Sequence, residues 1–595
     1  MADIVIPRLA QVSRRDLIAG SAIVGAGAAA LTVGVAANSG GDHGNQRVQF
    51  AADTTSEPTE GVTPTEAPAD PATPTSVVER ADPIDPATIL ETASISEMLD
   101  GMETGAFTAV QLMQAVLDRI ELYDRRGPKL GAVIETVPDA MERAQAADDA
   151  RAAGEPLGLL HGIPVLVKDI IATNDDTHTT AGSFALEDNV VVRDAFLVEQ
   201  LRNAGAIVLG KSNLTEWSNF KGDGGAAGFS PRGGQSRNPY DPSLSPSGSS
   251  SGSAISVAAG YVPAAIGSET NGSIISPAAY CGVVGLKPTT GLVSRSGVIP
   301  ISLSADSPGP MTRSVEDAAI MLSVLAGFDP EDVLNAELAD YAPAARFDES
   351  PIPEPGTADY RAALDPDALN GARIGVYRRL FGFSAEGDAL VEELLELMAD
   401  EGAEIVEDIS AGPLDELDAF DRYSMYLAEM STGFISFCET YTPDGPTLNM
   451  ADVVAYNIEH PDLELVYSDQ WALEDVANTS LTLDNPDYLA LLETHNQLAR
   501  QDGLDAIMDE AEVDVLIAPS AGLPSVISQT GEEYSGSSSG FAAYAGYPSL
   551  TIPIGDVDGL PVGINFFGRA FSEATLLAIA NAVEKLAPKR TPPQL

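Results

Sequence analysis

Residues 247–273 read SGSSSGSAISVAAGYVPAAIGSETNGS. The first seven are Gly and Ser alone and supply no hydrophobic anchor, whereas Ala254 to Ala259 are small and largely apolar and suit a buried helix. The opening run therefore reads as a backbone-rich turn that delivers hydroxyls to the mouth of a packed helix. A second Gly-Ser corner closes at Ser273, 24 residues after Ser249, which leaves room for the helix and a return to the same place. A surface linker would explain 247–253 by itself. It does not explain the pair, because a small-residue helix and a second corner follow, leading into Pro277 to Thr289.

Outward from that stretch, Gly162-Ile163-Pro164-Val165-Leu166-Val167-Lys168-Asp169 places a lysine at the end of a short apolar run of the kind a central parallel strand needs. A lysine entering a core is costly unless paired. An isolated Lys-Asp step reads first as a salt bridge or a surface pair, but two serine clusters elsewhere give the amine another use. Desolvation favours neutral Lys168, and a neutral amine beside Ser249 is a general base. His161 and His178 are the alternative bases for a Ser-His-Asp arrangement, and read more simply as core and loop histidines. The two cysteines stand 157 residues apart and no histidine pair has ligand spacing, so no metal site and no cofactor are expected, and a Cys281–Cys438 disulfide is permitted but not indicated.

These residues together resemble the amidase signature family, serine hydrolases that cleave carboxamides with a Ser-Ser-Lys triad. The similarity runs, with gaps, from about residue 92 to 587. Most members have Gly-Gly-Ser-Ser-Gly-Gly where this chain has Ser247 to Gly252, and Asp-Thr-Gly-Gly-Ser-Ile-Arg where it has Glu269 to Ile275. In detail the motif is nearer the peptide-amidase branch than the glutamyl-tRNA amidotransferase branch. The resemblance implies Ser273 as nucleophile, Ser249 as bridging serine and Lys168 as base, on a mixed, mostly parallel α/β sheet flanked by helices. The backbone N–H groups of Thr270, Asn271, Gly272 and Ser273 are candidate oxyanion donors. The interval 408–500 corresponds to the family's variable cleft region, and Ser250, Tyr423, Tyr426 and Phe434 are its substrate-cleft candidates here. The aromatic stripe of that interval reads first as core, with some of its rings left to contact the acyl part.

With 595 residues and 44% hydrophobic content the chain can bury one large core or two moderate ones. Its 32 basic and 88 acidic residues give a net charge of −56, which repels nucleic acid and anionic membranes and resembles surfaces adapted to high salt. Ser13-Arg14-Arg15-Asp16-Leu17 precedes the uncharged stretch Ile18 to Ala37, the form of a twin-arginine export signal over residues 1–40; uncleaved, it would tether the chain to a membrane. Residues 41–88 read as a disordered acidic Pro/Thr spacer and 89–592 as one domain, extracytoplasmic after export. Expected partners are an amide substrate and the export machinery, with no nucleic acid. Two further readings stand beside an exported amidase: the glutaminase component of an amidotransferase, and a non-catalytic acidic binding protein.

Within the domain, Thr108 caps an amphipathic helix, and Pro138 to Ala153 form a second. Asp306 to Ser314 reads as a Gly/Pro turn leading into a helix near Val315, and residues 330–370 as an acidic excursion. Proline-terminated apolar runs near 519, 553 and 561 suit the edge and end of the sheet, and 571–587 is a closing helix.

Overall fold

The computed structural model describes residues 82–155, 157–334, 352–587 and 590–595. Residues 1–40, read above as an export signal, the expected spacer up to residue 81 and residues 335–351 of the expected excursion lie outside the described residues. Residues 82–88, assigned above to the spacer, instead join the folded body: Pro86 is buried, and Ile84 N–H donates to Ala106 O at 3.0 Å.

Among the described residues thirteen strands occur in chain order: β1 (Val133–Thr136), β2 (Pro164–Lys168), β3 (Ile207–Ser212), β4 (Phe229–Ser230), β5 (Gly234–Gln235), β6 (Ala264–Glu269), β7 (Val284–Lys287), β8 (Ser307–Thr312), β9 (Arg373–Val376), β10 (Glu404–Val406), β11 (Val515–Pro519), β12 (Ser549–Val557) and β13 (Leu560–Phe567). Eleven form one mixed sheet in the order β1-β3-β2-β6-β8-β7-β12-β13-β11-β9-β10, and β4 and β5 make a small hairpin. Parallel pairing joins β2 to β3 and β6, and β9 to β10 and β11. The middle of the sheet, from β6 through β11, pairs antiparallel. The apolar runs that suggested parallel strands are buried on both faces in either case, because helices cover the sheet. Val315–Leu325 and Glu573–Leu586 pack on each other and against it.

Local signals account for the element boundaries. Thr108 accepts from Gln111 N–H while the Gln111 side chain accepts from Thr108 N–H, a reciprocal cap that starts the helix Ala109–Arg119. Ser314 caps Val315–Leu325 one way only, its hydroxyl accepting from Asp317 N–H.

Two expectations are corrected. Ser307–Thr312 is not a turn but the fully buried strand β8, in register with β6 from Ala264↔Thr312 to Glu269↔Ser307. Its prolines are tolerated because the ladder to β7 engages only Thr312 and Met311 and asks nothing of Pro308 or Pro310. The proline-bearing strands β11, β12 and β13 are interior rather than edge strands, and a register shift directly after Pro553 absorbs the missing donor.

Candidate active site

Strand β2 ends in Lys168, strand β6 ends in Ser268 and Glu269, and the Ser-rich turn enters the helix Ser251–Ala258 beside both. The Lys168 side chain is fully buried. Its Nζ lies 2.7 Å from Ser249 Oγ, 3.0 Å from Ser268 Oγ and 3.3 Å from Ser268 O. Burial pushes its ammonium down to about 7, against the opposing charges of Asp306 and Glu269. A neutral amine has two N–H donors and one lone pair. With the two donors on the Ser268 oxygens, the lone pair is left for the Ser249 hydroxyl. Ser268 is therefore part of the site, and sequence reasoning passed over it although it sits inside the quoted stretch.

The turn is held at both departures from the family's glycines. Ser247 has φ 60°, the left-handed region that favours glycine, and Ser251 Oγ donates to Ser247 O at 2.6 Å. The two serines that replace glycine are thus bonded to each other. At Gly248 a Cβ would meet Thr215 Oγ1 at 2.3 Å, so the side chain must be absent there. The Gly248–Ser249 peptide is cis.

Ser250 N–H donates to Ser273 O at 3.2 Å, which ties the two serine clusters together through the backbone. No hydrogen bond joins Ser249 Oγ to Ser273 Oγ among the described residues. Ser273 is half-buried and lines a cavity of about 320 Å³ with Thr270, Asn271, Gly272, Phe220, Tyr426 and Tyr534. The N–H groups of Thr270, Asn271, Gly272 and Ser273 have no protein acceptor among the described residues. Gly272 has φ 81°, and a Cβ there would meet Ser539 Oγ at 2.9 Å. Glu269 holds the corner from below: its Oε2 accepts from Ile274 N–H at 2.8 Å and Ile275 N–H at 3.0 Å. Asp306 holds it from the side, accepting from Thr270 Oγ1 at 2.5 Å and from the N–H groups of Ile301 and Ser302. Burial raises the Asp306 carboxyl to about 6. Ser302 Oγ in turn donates to Glu429, on the helix Arg422–Tyr441, and Glu429 also accepts from Ser304 and Tyr488.

The four cleft candidates divide. Tyr426 lines the cavity. Tyr423 stands behind it, its ring against Phe220 at 5.8 Å and its hydroxyl donating to Asp475. Ser250 is corrected: fully buried, its Oγ donates to Ser268 O and accepts from Ser268 N–H, clasping the end of β6 instead of facing substrate. Phe434 is corrected too, being a core residue packed edge-on to Trp217 at 5.5 Å, because the helix turns that face inward. Trp217 opens a run of three left-handed residues, 217–219, pinned by the buried Lys221–Glu216 ion pair at 2.7 Å; it carries Ser218, Asn219 and Phe220 to the cavity wall.

His161 bonds Ala147 O and His178 bonds Glu135, and neither lines the cavity. Cys281 and Cys438 are buried free thiols. Among the described residues no group of His, Cys, Asp or Glu is arranged to hold a metal ion.

One support of the corner escaped the sequence reading. The hexapeptide at Ser247 to Gly252 recurs letter for letter at Ser535 to Gly540. The second copy packs on the corner: Ser539 Oγ donates to Asn271 Oδ1 at 3.1 Å, and Ser276 Oγ donates to Ser537 Oγ at 3.0 Å. The repeat was the signal that would have found it.

Residues 111–577 match the family model described as Amidase. A probable amidase of Arabidopsis thaliana is 36% identical over 514 residues, covering 85% of this chain and 92% of that protein. A glutamyl-tRNA(Gln) amidotransferase chain of Methylococcus capsulatus is 36% identical over 519 residues, covering 83% of this chain and 96% of that one. Among solved structures, the native peptide amidase of Stenotrophomonas maltophilia superposes with a TM-score of 0.76 at 41% identity, covering 85% of this chain and 99% of that one.

Proposed function

The chain belongs to the amidase signature family of amide hydrolases, and within it we propose that this protein hydrolyses small carboxamides or peptide amides through a Ser-Ser-Lys relay and a seryl acyl-enzyme. One observation carries this reading: buried Lys168 lies 2.7 Å from Ser249 Oγ, beneath a cavity that Ser273 lines.

In the proposed reaction neutral Lys168 takes the Ser249 proton, Ser249 takes the Ser273 proton, and Ser273 Oγ attacks the amide carbonyl carbon. The Ser249–Ser273 link absent from the free enzyme closes when substrate fixes the Ser273 hydroxyl. Free N–H groups at 270–273 receive the developing oxyanion. Returned through Ser249, the proton goes to the leaving nitrogen as the C–N bond breaks. Water then attacks the acyl-enzyme by the same route and releases the acid and Ser273.

A small or peptide amide suits the cavity better than free glutamine. Among the described residues no charged side chain lines it, and a zwitterion's ammonium and carboxylate would enter without counter-charges there. Where most family members carry arginine, this chain has buried Ile275. Export by the twin-arginine route and an extracytoplasmic place of work belong to the same proposal, on the sequence of residues 1–40.

The test combines ammonia release from a panel of amides and peptide amides with covalent capture by a fluorophosphonate. Peptide amides should be cleaved and the probe should sit on Ser273. Ser273→Ala should remove both signals without changing the melting temperature. Labelling of another serine in the wild type, with Ser273 unmodified, overturns the assignment.

A further inference from the structure

Tyr534 stands on the rim of the Ser273 cavity with 70% of its surface exposed, and among the described residues no other ring packs against its own. The cavity's other rings, Phe220 and Tyr426, pack on each other at 6.3 Å and are backed by Tyr423. An apolar ring left in water at the mouth of a reaction cavity gains most when a ligand covers it.

The chain that carries this ring is fixed relative to the nucleophile. Ser535 Oγ bonds the hydroxyl of Tyr280, the last residue of the helix Ile275–Tyr280 that follows Ser273. Ser537 and Ser539 bond Ser276 and Asn271 on the corner itself. Three successive hydroxyl contacts therefore hold the rim to the oxyanion corner, and Tyr534 begins where they end.

Cavity size says what reaches that rim. At about 320 Å³ the space is near the lower limit, ~300 Å³, of small-molecule sites, enough to enclose one acyl residue. Whatever precedes that residue in a longer substrate must leave at the mouth.

We propose that Tyr534 is a specificity-determining residue, a rim platform for the residue that precedes the one whose carboxamide is cleaved, so that the enzyme prefers peptide amides of two or more residues to single-residue amides. The inference rests on the amide-hydrolase reading of Ser273 and adds to it the length of the substrate. The Tyr534 ring offers a face for stacking, while its hydroxyl bonds Ser537 and so holds the ring in place.

The experiment compares N-acetyl-phenylalanyl-leucinamide with 4-methylpentanamide, which presents the same terminal group without a preceding residue. Wild type, Tyr534→Phe and Tyr534→Ala are assayed by ammonia release, with melting temperatures measured in parallel. Tyr534→Ala should lower the ratio of kcat/KM, dipeptide amide over small amide, by about tenfold, chiefly through KM, in keeping with the worth of one aromatic contact. Tyr534→Phe should keep most of the ratio. An unchanged ratio in Tyr534→Ala overturns the inference, whether both substrates hold their rates or both lose equally through kcat, the latter marking the residue as a support of the corner. A wild type that releases ammonia from neither compound nor from any other amide overturns the hydrolase reading itself, and the inference with it.

Discussion

Lys168 and Lys211 occupy adjacent parallel strands, and both are fully buried. Register pairs Val167 with Lys211 and Lys168 with Ser212, so the two lysines lie on opposite faces of the sheet. Burial lowers both amines, to about 7 and about 8. What separates them is the company on each face. Lys168 touches the hydroxyls of Ser249 and Ser268, groups able to pass a proton onward. Lys211 donates to Ile171 O at 2.5 Å and to Thr179 Oγ1 at 2.8 Å, with the Asp169 charge supporting its own. The carbonyl oxygen has no proton to give, and the Thr179 hydroxyl donates its own back to that same carbonyl at 3.3 Å, so no chain of hydroxyls leads onward from Lys211. Desolvation alone therefore does not single out a candidate base; the groups around it do.

The largest effect that could break this contrast lies at Lys168. Lys168→Arg keeps a cation and loses the lone pair, since guanidinium does not deprotonate near neutrality. Activity should fall by roughly 10²- to 10⁴-fold with the fold retained, as judged by kcat/KM beside a thermal melt. In the wild type, kcat/KM should drop tenfold per unit below about pH 7, because only neutral Lys168 can accept a proton. Near wild-type turnover in Lys168→Arg would move the base elsewhere, with His161 and His178 next to be tried.

At Lys211 the loss should be of stability. Lys211→Met removes the donor to Ile171 O and Thr179 Oγ1 and the stronger of two cationic influences on buried Asp169, at about 1–3 kcal/mol by denaturant unfolding; turnover per folded molecule should change by less than about threefold, within the range of a residue outside the relay. Adding Asp169→Asn should restore part of the stability. The folded-state pKa of Lys211, about 8, lies below its ordinary 10.5. Between those values the unfolded chain holds a proton the folded chain has released, so this lysine makes stability rise with pH across that window, a slope the variant should lose. A Lys211→Met protein with intact stability and no activity would erase the distinction between the two faces.

The smallest effect separates interior from surface. With 88 acidic and 32 basic residues, the melting temperature should rise by a few degrees between about 0.05 and 1 M salt as repulsion is screened. The activity midpoint set by buried Lys168 should shift far less. A melting temperature that is flat or falls over that range would separate the acidity from any adaptation to salt.

Much of this was legible in the sequence because it rests on local chemistry. The Gly-Ser run before a small-residue helix pointed to a turn, and the structure makes 247–250 that turn and 251–253 the first turn of the helix; the apolar run into Lys168 pointed to a buried strand, and Thr108 and Ser314 announced their helices. Contacts distant in sequence were not legible. Neither Pro308 nor Pro310 says that its partner strand avoids the missing donors, and nothing at Ser250 says that its hydroxyl turns toward Ser268. Phe434 and Tyr426 share one aromatic stripe, and only the packing of Trp217 shows which of them meets the core and which the cavity. Ser268 and Ser535 to Ser539 were missed for different reasons: one stood inside a motif read for other residues, the other 262 positions beyond Ser273 or more.

The Asp306–Ser302–Glu429 connection sets a rule for recombining parts of this enzyme. Residues 408–500 look like a cassette that could be exchanged between relatives to alter what is cleaved. Yet Glu429, inside that cassette, accepts from the Ser302 hydroxyl, the Ser304 hydroxyl and the Ser304 N–H, all of which stay behind in the body. An incoming segment without an acceptor there leaves the buried Ser302 hydroxyl unanswered, at roughly 1–3 kcal/mol, together with two part-buried donors of Ser304, a few bonds from the loop that holds Thr270. The seam of a workable chimera therefore runs not through the flanking loops but around Glu429, which must travel with its serines or be replaced together with them.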